Sequence, residues 1–322
     1  MSRPERGAAE GPERGAGTID SRETRTGHVL EIVAGVYRVE LDGETVPCVL
    51  RGRAKRGDHS VAVGDRVAVE RLSDGTWRIE KRLPRASQLA RAAPSGRRQV
   101  IVANIDQVAV VVSVARPSPD LRTLDRLLAL AHVNDLSCLV IANKVDLLDG
   151  SGASGGREAF GNYHEAGYPV IATSALTGVG LDELRRALEG RVTVLAGASG
   201  VGKSSLLNAL VPGLNLRIGA VGERSGRGRH TTVSARLIRF PGGGFIADTP
   251  GIQYIGLGDL SPAQLAAAFP EFAPHAADCR FHNCRHAVEP DCAVRAAAEG
   301  GDVSAERYER YRTLLDEIAA GG

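Results

Sequence analysis

Aromatic side chains are scarce in this chain. Phe, Tyr and Trp make up 4% of 322 residues, with a single Trp. Stacking on single-stranded bases needs aromatic platforms, so that mode of nucleic-acid binding has little support. Cysteine is sparse too: there are 5, with no even disulfide framework of the kind found in small secreted proteins. No apolar run reaches the ~20 residues of a membrane-spanning helix. Residues 1–26 have almost no bulky apolar side chains and are rich in Gly, Ala, Arg and Glu. Such a stretch cannot bury enough surface to fold and has no signal-peptide core. It is expected to be a disordered tail on a protein of the reducing cytoplasm, away from membranes. A net charge of only +2 excludes a general polycation. Any nucleic-acid contact must come from local patches.

Glycine, by contrast, is placed with purpose. Gly197-Ala198-Ser199-Gly200-Val201-Gly202-Lys203-Ser204 fits a phosphate-binding loop. Residues 191–196 read as the buried strand that feeds it, and 204–210 as the helix that leaves it. The glycines let the backbone wrap an anion, and its N–H groups with the helix N-terminus face the phosphates. Lys203 would reach the β- and γ-phosphates, and the Ser204 hydroxyl would ligate Mg2+. Ser205, next in that helix, joins the nucleotide-binding group.

The base is chosen elsewhere. Asn143-Lys144-Val145-Asp146 follows an apolar run at 138–142 that reads as a buried strand. The Asp146 carboxylate can accept from guanine N1–H and its exocyclic amine, a donor pair that adenine lacks. Asn143 can fix the loop and the base edge, and the Lys144 stem can cover the ring. Ser174-Ala175 follows the next apolar run, 168–172, and would support the base through backbone contacts. An ordinary GTPase carries the phosphate loop first and the base motif later. Here the order is reversed, which implies a circularly permuted GTPase.

The remaining parts follow the phosphate loop. Asp248-Thr249-Pro250-Gly251 ends a strand at 244–247. Asp248 would hold Mg2+ through water, and the Gly251 N–H would sense the γ-phosphate. Between the phosphate loop and Asp248 lies Gly228-Arg229-His230-Thr231-Thr232 in a glycine-rich basic loop. One of the two threonines would complete the Mg2+ shell, and spacing favours Thr231. After Asp-x-x-Gly stands Ile252, where Ras-like enzymes carry a glutamine that orients the attacking water. His230 is the nearest replacement as the catalytic group, since an imidazole can orient or deprotonate water near neutral pH. Its alternative role is contact with phosphate or RNA.

Three of the cysteines and a histidine cluster near the C-terminus as Cys279, Cys284, His286 and Cys292. Three thiolates and an imidazole suit one structural Zn2+ per chain with no open ligand position. His282 is a competing ligand by position, and a redox disulfide is the alternative. Cys48 and Cys138 sit in apolar runs and read as buried thiols.

Short alternating strands at 28–33, 36–41, 46–50, 66–70 and 76–81 suit an OB-type β-barrel over residues 27–85. A basic loop at 51–56, continued by Lys81, Arg82, Arg85, Arg91, Arg97 and Arg98, points to RNA phosphates on it. Residues 86–258 alternate strand and helix, as a mostly parallel α/β GTPase domain requires. Its first strand is 108–114, and helices are expected at 121–133 and 180–188, with a flexible glycine/serine loop at 149–156. Residues 259–322 form a helical zinc-binding domain, with helices at 261–269, capped by Ser261, and 305–318.

With these motifs in place the chain resembles the bacterial ribosome small-subunit-dependent GTPase family (RsgA/YjeQ). The likeness runs from about residue 27 to 318. It includes Asn104-Ile105-Asp106-Gln107, Leu124-Asp125-Arg126, the permuted motifs, the His230 loop, Phe269-Pro270-Glu271-Phe272 and Arg307-Tyr308 with Tyr311. The resemblance implies a GTP hydrolase that acts in late maturation of the small ribosomal subunit, with turnover stimulated by that subunit. The expected partners are the subunit with its rRNA, and GTP or GDP, with Mg2+ accompanying the nucleotide. The chain is expected to act as a monomer. The family's catalytic histidine maps to His230, and its zinc ligands map to the four residues above. A catalytically weak rRNA-binding scaffold that uses nucleotide as a structural ligand is the other reading. A metabolic or transport NTPase fits neither the OB patch nor the zinc module.

Overall fold

The computed structural model describes residues 24–50, 60–92, 98–148, 150, 152–216, 235–249, 257 and 260–320. The expected basic loop at 51–56, His230, Thr231, Thr232, Gly251 and Ile252 lie outside the described residues.

Strands β1 (Thr24–Val33), β2 (Val36–Leu41), β3 (Glu44–Leu50), β4 (Arg66–Arg71) and β5 (Trp77–Arg82) run in the order β1-β2-β3-β5-β4, and β4 returns to β1. The sheet therefore closes into the OB-like barrel expected, with β3 and β5 parallel and the other neighbours antiparallel. Ala34-Gly35 and Asp42-Gly43 all take positive φ, which two-residue hairpin turns require. Val29, Val39, Leu41, Cys48, Val67, Val69 and Ile79 point inward and fill it. β1 opens at Thr24, ahead of the expected boundary at residue 27. Thr24, Arg25 and Thr26 pair with Glu70, Val69 and Ala68 to close the barrel, so sheet closure overrides the tail-like composition.

A hairpin of β6 (Gln88–Ala92) and β7 (Arg98–Ala103) follows, in a segment read only as basic. Arg85 just before it is not an exposed RNA contact. Its guanidinium grips the fully buried Asp65 with two bonds of 2.7 Å, and so fastens the barrel's exit.

The nucleotide-binding domain continues with β8 (Gln107–Ser113), α1 (Leu121–Val133), β9 (Ser137–Asn143), α2 (Gly152–Glu158), α3 (Gly161–Glu165), β10 (Val170–Thr173), α4 (Leu181–Leu188), β11 (Val192–Ala196), α5 (Lys203–Leu210), β12 (Arg236–Arg239) and β13 (Phe245–Asp248). The strands lie in the order β10-β9-β8-β11-β13-β12, parallel except for β12. Much of the segment expected to be a flexible loop is α2. Gly156 lies where a Cβ would strike the Val145 side chain, so close packing on the sheet outweighs weak helix propensity. β12 also meets β1 at Glu31↔Arg236, which makes the sheet and the barrel one 11-stranded surface.

The C-terminal module holds α6 (Pro262–Ala267), α7 (Ala273–Ala276), α8 (Ala293–Gly300) and α9 (Ala305–Ala319). Ser261 caps α6 in a full capping box with Gln264, and Pro262 opens the helix. α9 docks on α1 through buried charge. Arg307, 1% exposed, reaches Asp125 at 2.9 Å and also Glu271, while Arg310 takes the second Asp125 oxygen at 2.6 Å. The Arg307 guanidinium lies 4.5 Å from the Tyr163 ring centre and 5.0 Å from that of Phe269. Removing one partner of such a network costs about 3–5 kcal/mol, because the others stay buried without compensation.

Candidate functional site

The C-terminal ends of β8, β9, β10, β11 and β13 converge, as ligand sites in open α/β sheets do. β11 leads into the phosphate loop at Gly197, and Asp248 lies level with Leu195 on the neighbouring strand. Asn143 lies level with Thr173 on one side and Ser113 on the other. The permuted segments are therefore neighbours in space, whatever their order along the chain.

Two glycines set the loop's shape. Gly197 (φ 138°) lies where a Cβ would strike the Val111 carbonyl, and Gly202 (φ 100°) where one would strike the Asn143 amide. Gly202 caps α5, whose first turn carries Lys203, Ser204 and Ser205. Lys203 Nζ donates to the Gly197 and Ala198 carbonyls at 2.8 and 2.7 Å. Burial pulls its pKa down to about 8, against the charge of Asp248, which raises it. Ala198, Ser199, Gly200 and Val201 complete the cradle. A hydroxyl at Ser204 and a carboxylate at Asp248 are oxygen donors of the kind a hard cation takes.

The base motif is tied to this loop. Asn143 is buried; its amide donates to the Val201 carbonyl at 2.8 Å and accepts from the Thr173 hydroxyl at 3.0 Å. Lys144 adopts a left-handed backbone (φ 68°), and its ammonium donates to the Arg116 and Gly200 carbonyls at 2.6 and 2.7 Å. Its stem thus lies between the base motif and the phosphate loop. The Ser174 hydroxyl donates to Asp146 and accepts from the Leu176 and Thr177 amides, both at 3.2 Å. Sequence reasoning gave Ser174-Ala175 only a backbone role. Here the Ser174 hydroxyl aims the carboxylate as well, a contact that needs the β9 and β10 ends side by side.

Asp248 has a neighbour that no motif announced. Arg236 Nε lies 3.3 Å from Asp248 Oδ2. Beside it the Thr249 hydroxyl is buried and has no hydrogen-bond partner among the described residues.

Among the described residues, Cys279, Cys284, His286 and Cys292 bring four ligand atoms within 4.8 Å of one another, a group that could hold a metal ion. His282 is not in it. The Cys279 and Cys292 sulfurs lie 3.5 and 3.6 Å from His286 Nδ1. Backbone amides of His286 and Arg295 donate to the Cys284 and Cys292 sulfurs at 3.4 Å each. α9 holds the ligand loop from behind: the Tyr308 hydroxyl donates to the His286 carbonyl at 2.8 Å, and that of Tyr311 to Arg285. Cys48 and Cys138, outside the group, are free thiols pushed up to about 12 by burial.

A phosphate-loop motif, a base motif and the Asp248 carboxylate in permuted order on a mostly parallel sheet, with an OB-like barrel before them and a Cys3His module after, define a circularly permuted GTPase. The sequence model of the RsgA GTPase family matches residues 82–258. The small ribosomal subunit biogenesis GTPase RsgA of Gemmatimonas aurantiaca is 48% identical over 301 residues, which cover 91% of this chain and 97% of that relative. The protein of the same name from Moorella thermoacetica is 45% identical over 294 residues, covering 91% and 97%. The crystal structure of YjeQ from Thermotoga maritima superposes with a TM-score of 0.77 at 36% identity, covering 92% of this chain and 99% of that one. YloQ, a circularly permuted GTPase, gives 0.73 at 28% identity, covering 95% and 98%. The chain belongs to the RsgA GTPase family, whose activity is GTP hydrolysis. Among the described residues no helix is long and apolar enough to cross a membrane.

Proposed function

We propose that the chain binds the small ribosomal subunit, acts in its late maturation, and hydrolyses GTP to GDP and phosphate at a rate the subunit raises. One observation carries the nucleotide part: buried Asn143 bonds the base motif to the phosphate loop, so a ligand spanning both meets one preorganised site. The relatives named small ribosomal subunit biogenesis GTPase, similar over nine-tenths of the chain, support the choice of partner.

In this reading Asp146 accepts from guanine, the Lys144 stem covers its ring, and Ala175 lies at its edge. The amides of residues 197–202 and Lys203 hold the phosphates. Ser204, Thr231 and, through water, Asp248 hold Mg2+, which when bound neutralises charge on the β- and γ-phosphates. His230 orients the attacking water, and the Gly251 amide meets the γ-phosphate. Loss of that phosphate at Gly251 loosens the grip of the C-terminal module on rRNA, so GTP favours binding and GDP favours release.

The Cys3His group holds one structural zinc in this reading. Zn–S and Zn–N bonds of ~2.3 and ~2.0–2.1 Å at a tetrahedral angle give a sulfur–nitrogen edge of about 3.6 Å. Two of the three such edges here, from Cys279 and Cys292, are 3.5 and 3.6 Å. The protein works as a monomer in the cytoplasm, where its substrate particle is assembled.

Turnover measured with and without purified small subunits tests the proposal. Subunits should raise wild-type turnover manyfold. His230→Ala should keep nucleotide affinity and lose roughly 10²–10⁴-fold of the stimulated rate, the usual range for a general base. A rate indifferent to subunits would leave the scaffold reading instead.

A further inference from the structure

Arg236 stands at a crossing that the nucleotide chemistry leaves unexplained. It is directly opposite Asp248 in the β12–β13 ladder and directly opposite Glu31 of the barrel in the β12–β1 ladder. Residues directly opposite in antiparallel strands put their side chains on the same face, with Cβ atoms about 4.5–5.5 Å apart. Glu31, Arg236 and Asp248 therefore form one cross-strand row: carboxylate, guanidinium, carboxylate. The guanidinium sits on Asp248 at 3.3 Å, while Glu31 faces Arg38 at 3.6 Å. Both members of the Arg236–Asp248 pair are partly open to solvent, so neither is locked by burial.

A carboxylate that must serve Mg2+ cannot keep a guanidinium on the same oxygen without cost. The two cations compete for it. When Arg236 leaves Asp248, the next carboxylate in its row is Glu31. We propose that Arg236 is a two-position counter-ion, paired with Asp248 when the site holds no Mg2+ and with Glu31 of the barrel when Mg2+·GTP is bound. Loading the nucleotide then tightens the seam between barrel and sheet, and anything that holds the barrel in that posture favours the loaded site in return. The other end of β12 is already fastened to the barrel, by Arg239 on Glu40. The inference rests on the proposed role of Asp248 in the Mg2+ shell, and Arg236 acts as a positioning residue.

The test is a Mg2+ titration of the full-length protein with a fluorescent, non-hydrolysable GTP analogue, read as the half-saturating Mg2+ concentration. Arg236→Ala removes the competitor and should lower it about two- to fivefold, the range of an exposed ion pair. Arg236→Lys should stay near wild type. Glu31→Gln removes the alternative seat and should raise it about twofold. In the Arg236→Ala background Glu31→Gln should then do nothing, because the two act through one guanidinium. An unchanged half-point in Arg236→Ala, or a Glu31→Gln effect that persists without Arg236, would overturn the inference. Asp248→Asn separates the two levels. If it keeps the wild-type Mg2+ dependence, the assignment of Asp248 to the Mg2+ shell fails, and the inference with it. If it loses that dependence while Arg236→Ala shifts nothing, only the inference fails.

Discussion

The nucleotide-binding domain is joined to its two neighbours by seams of opposite character. Toward the C-terminal module the seam is buried charge: Arg307, 1% exposed, is enclosed by Asp125, Glu271 and aromatic rings. Toward the barrel it is a strand pairing at Glu31↔Arg236 flanked by ion pairs that water reaches, such as Arg239–Glu40, where Arg239 is 54% exposed. Buried pairs are costly to break and have few alternative partners, whereas exposed pairs exchange cheaply. The α9–α1 seam should therefore resist rearrangement, and the barrel seam should exchange ion-pair partners at lower cost.

The widest gap between the seams should appear on metal removal. The ligand loop carries the carbonyls to which Tyr308 and Tyr311 donate, so unfolding of that loop would cost α9 both contacts. Structural zinc of this kind supplies about 10 kcal/mol or more of apparent folding free energy. Cys284→Ala should drop bound zinc from about one per chain to none, since a four-ligand site then lacks a ligand. The C-terminal module should melt while barrel and nucleotide binding survive. Metal analysis with domain-resolved hydrogen exchange checks this, and protection lost equally in the barrel would erase the distinction.

Next comes the buried network itself. Arg307→Ala should destabilise the C-terminal module by about 3–5 kcal/mol. Chemical denaturation reads the loss. Arg239→Ala at the barrel seam belongs at the other end of the scale, at about 0.2–1 kcal/mol and shrinking with salt. Equal costs for the two would remove the contrast.

The sequence made one side of this picture far easier to read than the other. The barrel's turns and alternating strands, the glycine-rich turn between β11 and α5, the Asn143–Asp146 turn after β9 and the Cys3His cluster all depend on local spacing, and the place of each was legible. α2 was not, because its glycines make a poor helix until Gly156 meets Val145 and Ala172. β12 was not, because its place is decided by β13 and β1 on either side, and its four residues carry a charge at both ends. Arg236 and the Asp146–Ser174 contact follow from those neighbours. Arg85 looked like surface charge until its buried partner Asp65 was in view.

Between the seams, the phosphate site should titrate in its own right. Burial holds free Lys203 at a pKa of about 8, and phosphate charge bound beside it would raise that value. Binding above that pH must take up a proton, so GTP affinity should be flat below about pH 7.5. It should then fall by up to about tenfold per unit up to about pH 9. Calorimetry in buffers of different ionisation enthalpy would count the proton. A flat affinity across the range would mean that Lys203 is charged in the free site.

The most direct test is of the permuted site as one guanine-specific pocket. Binding of GTP and xanthosine triphosphate should be measured on wild-type protein and on Asp146→Asn. The substitution replaces an acceptor of the guanine donors with a mixed group, and xanthine offers a carbonyl where guanine has its amine. Wild type should prefer GTP, and Asp146→Asn should weaken GTP and partly regain affinity for the xanthine nucleotide. Unchanged GTP affinity in Asp146→Asn would contradict the assignment of the base to the motif that precedes the phosphate loop.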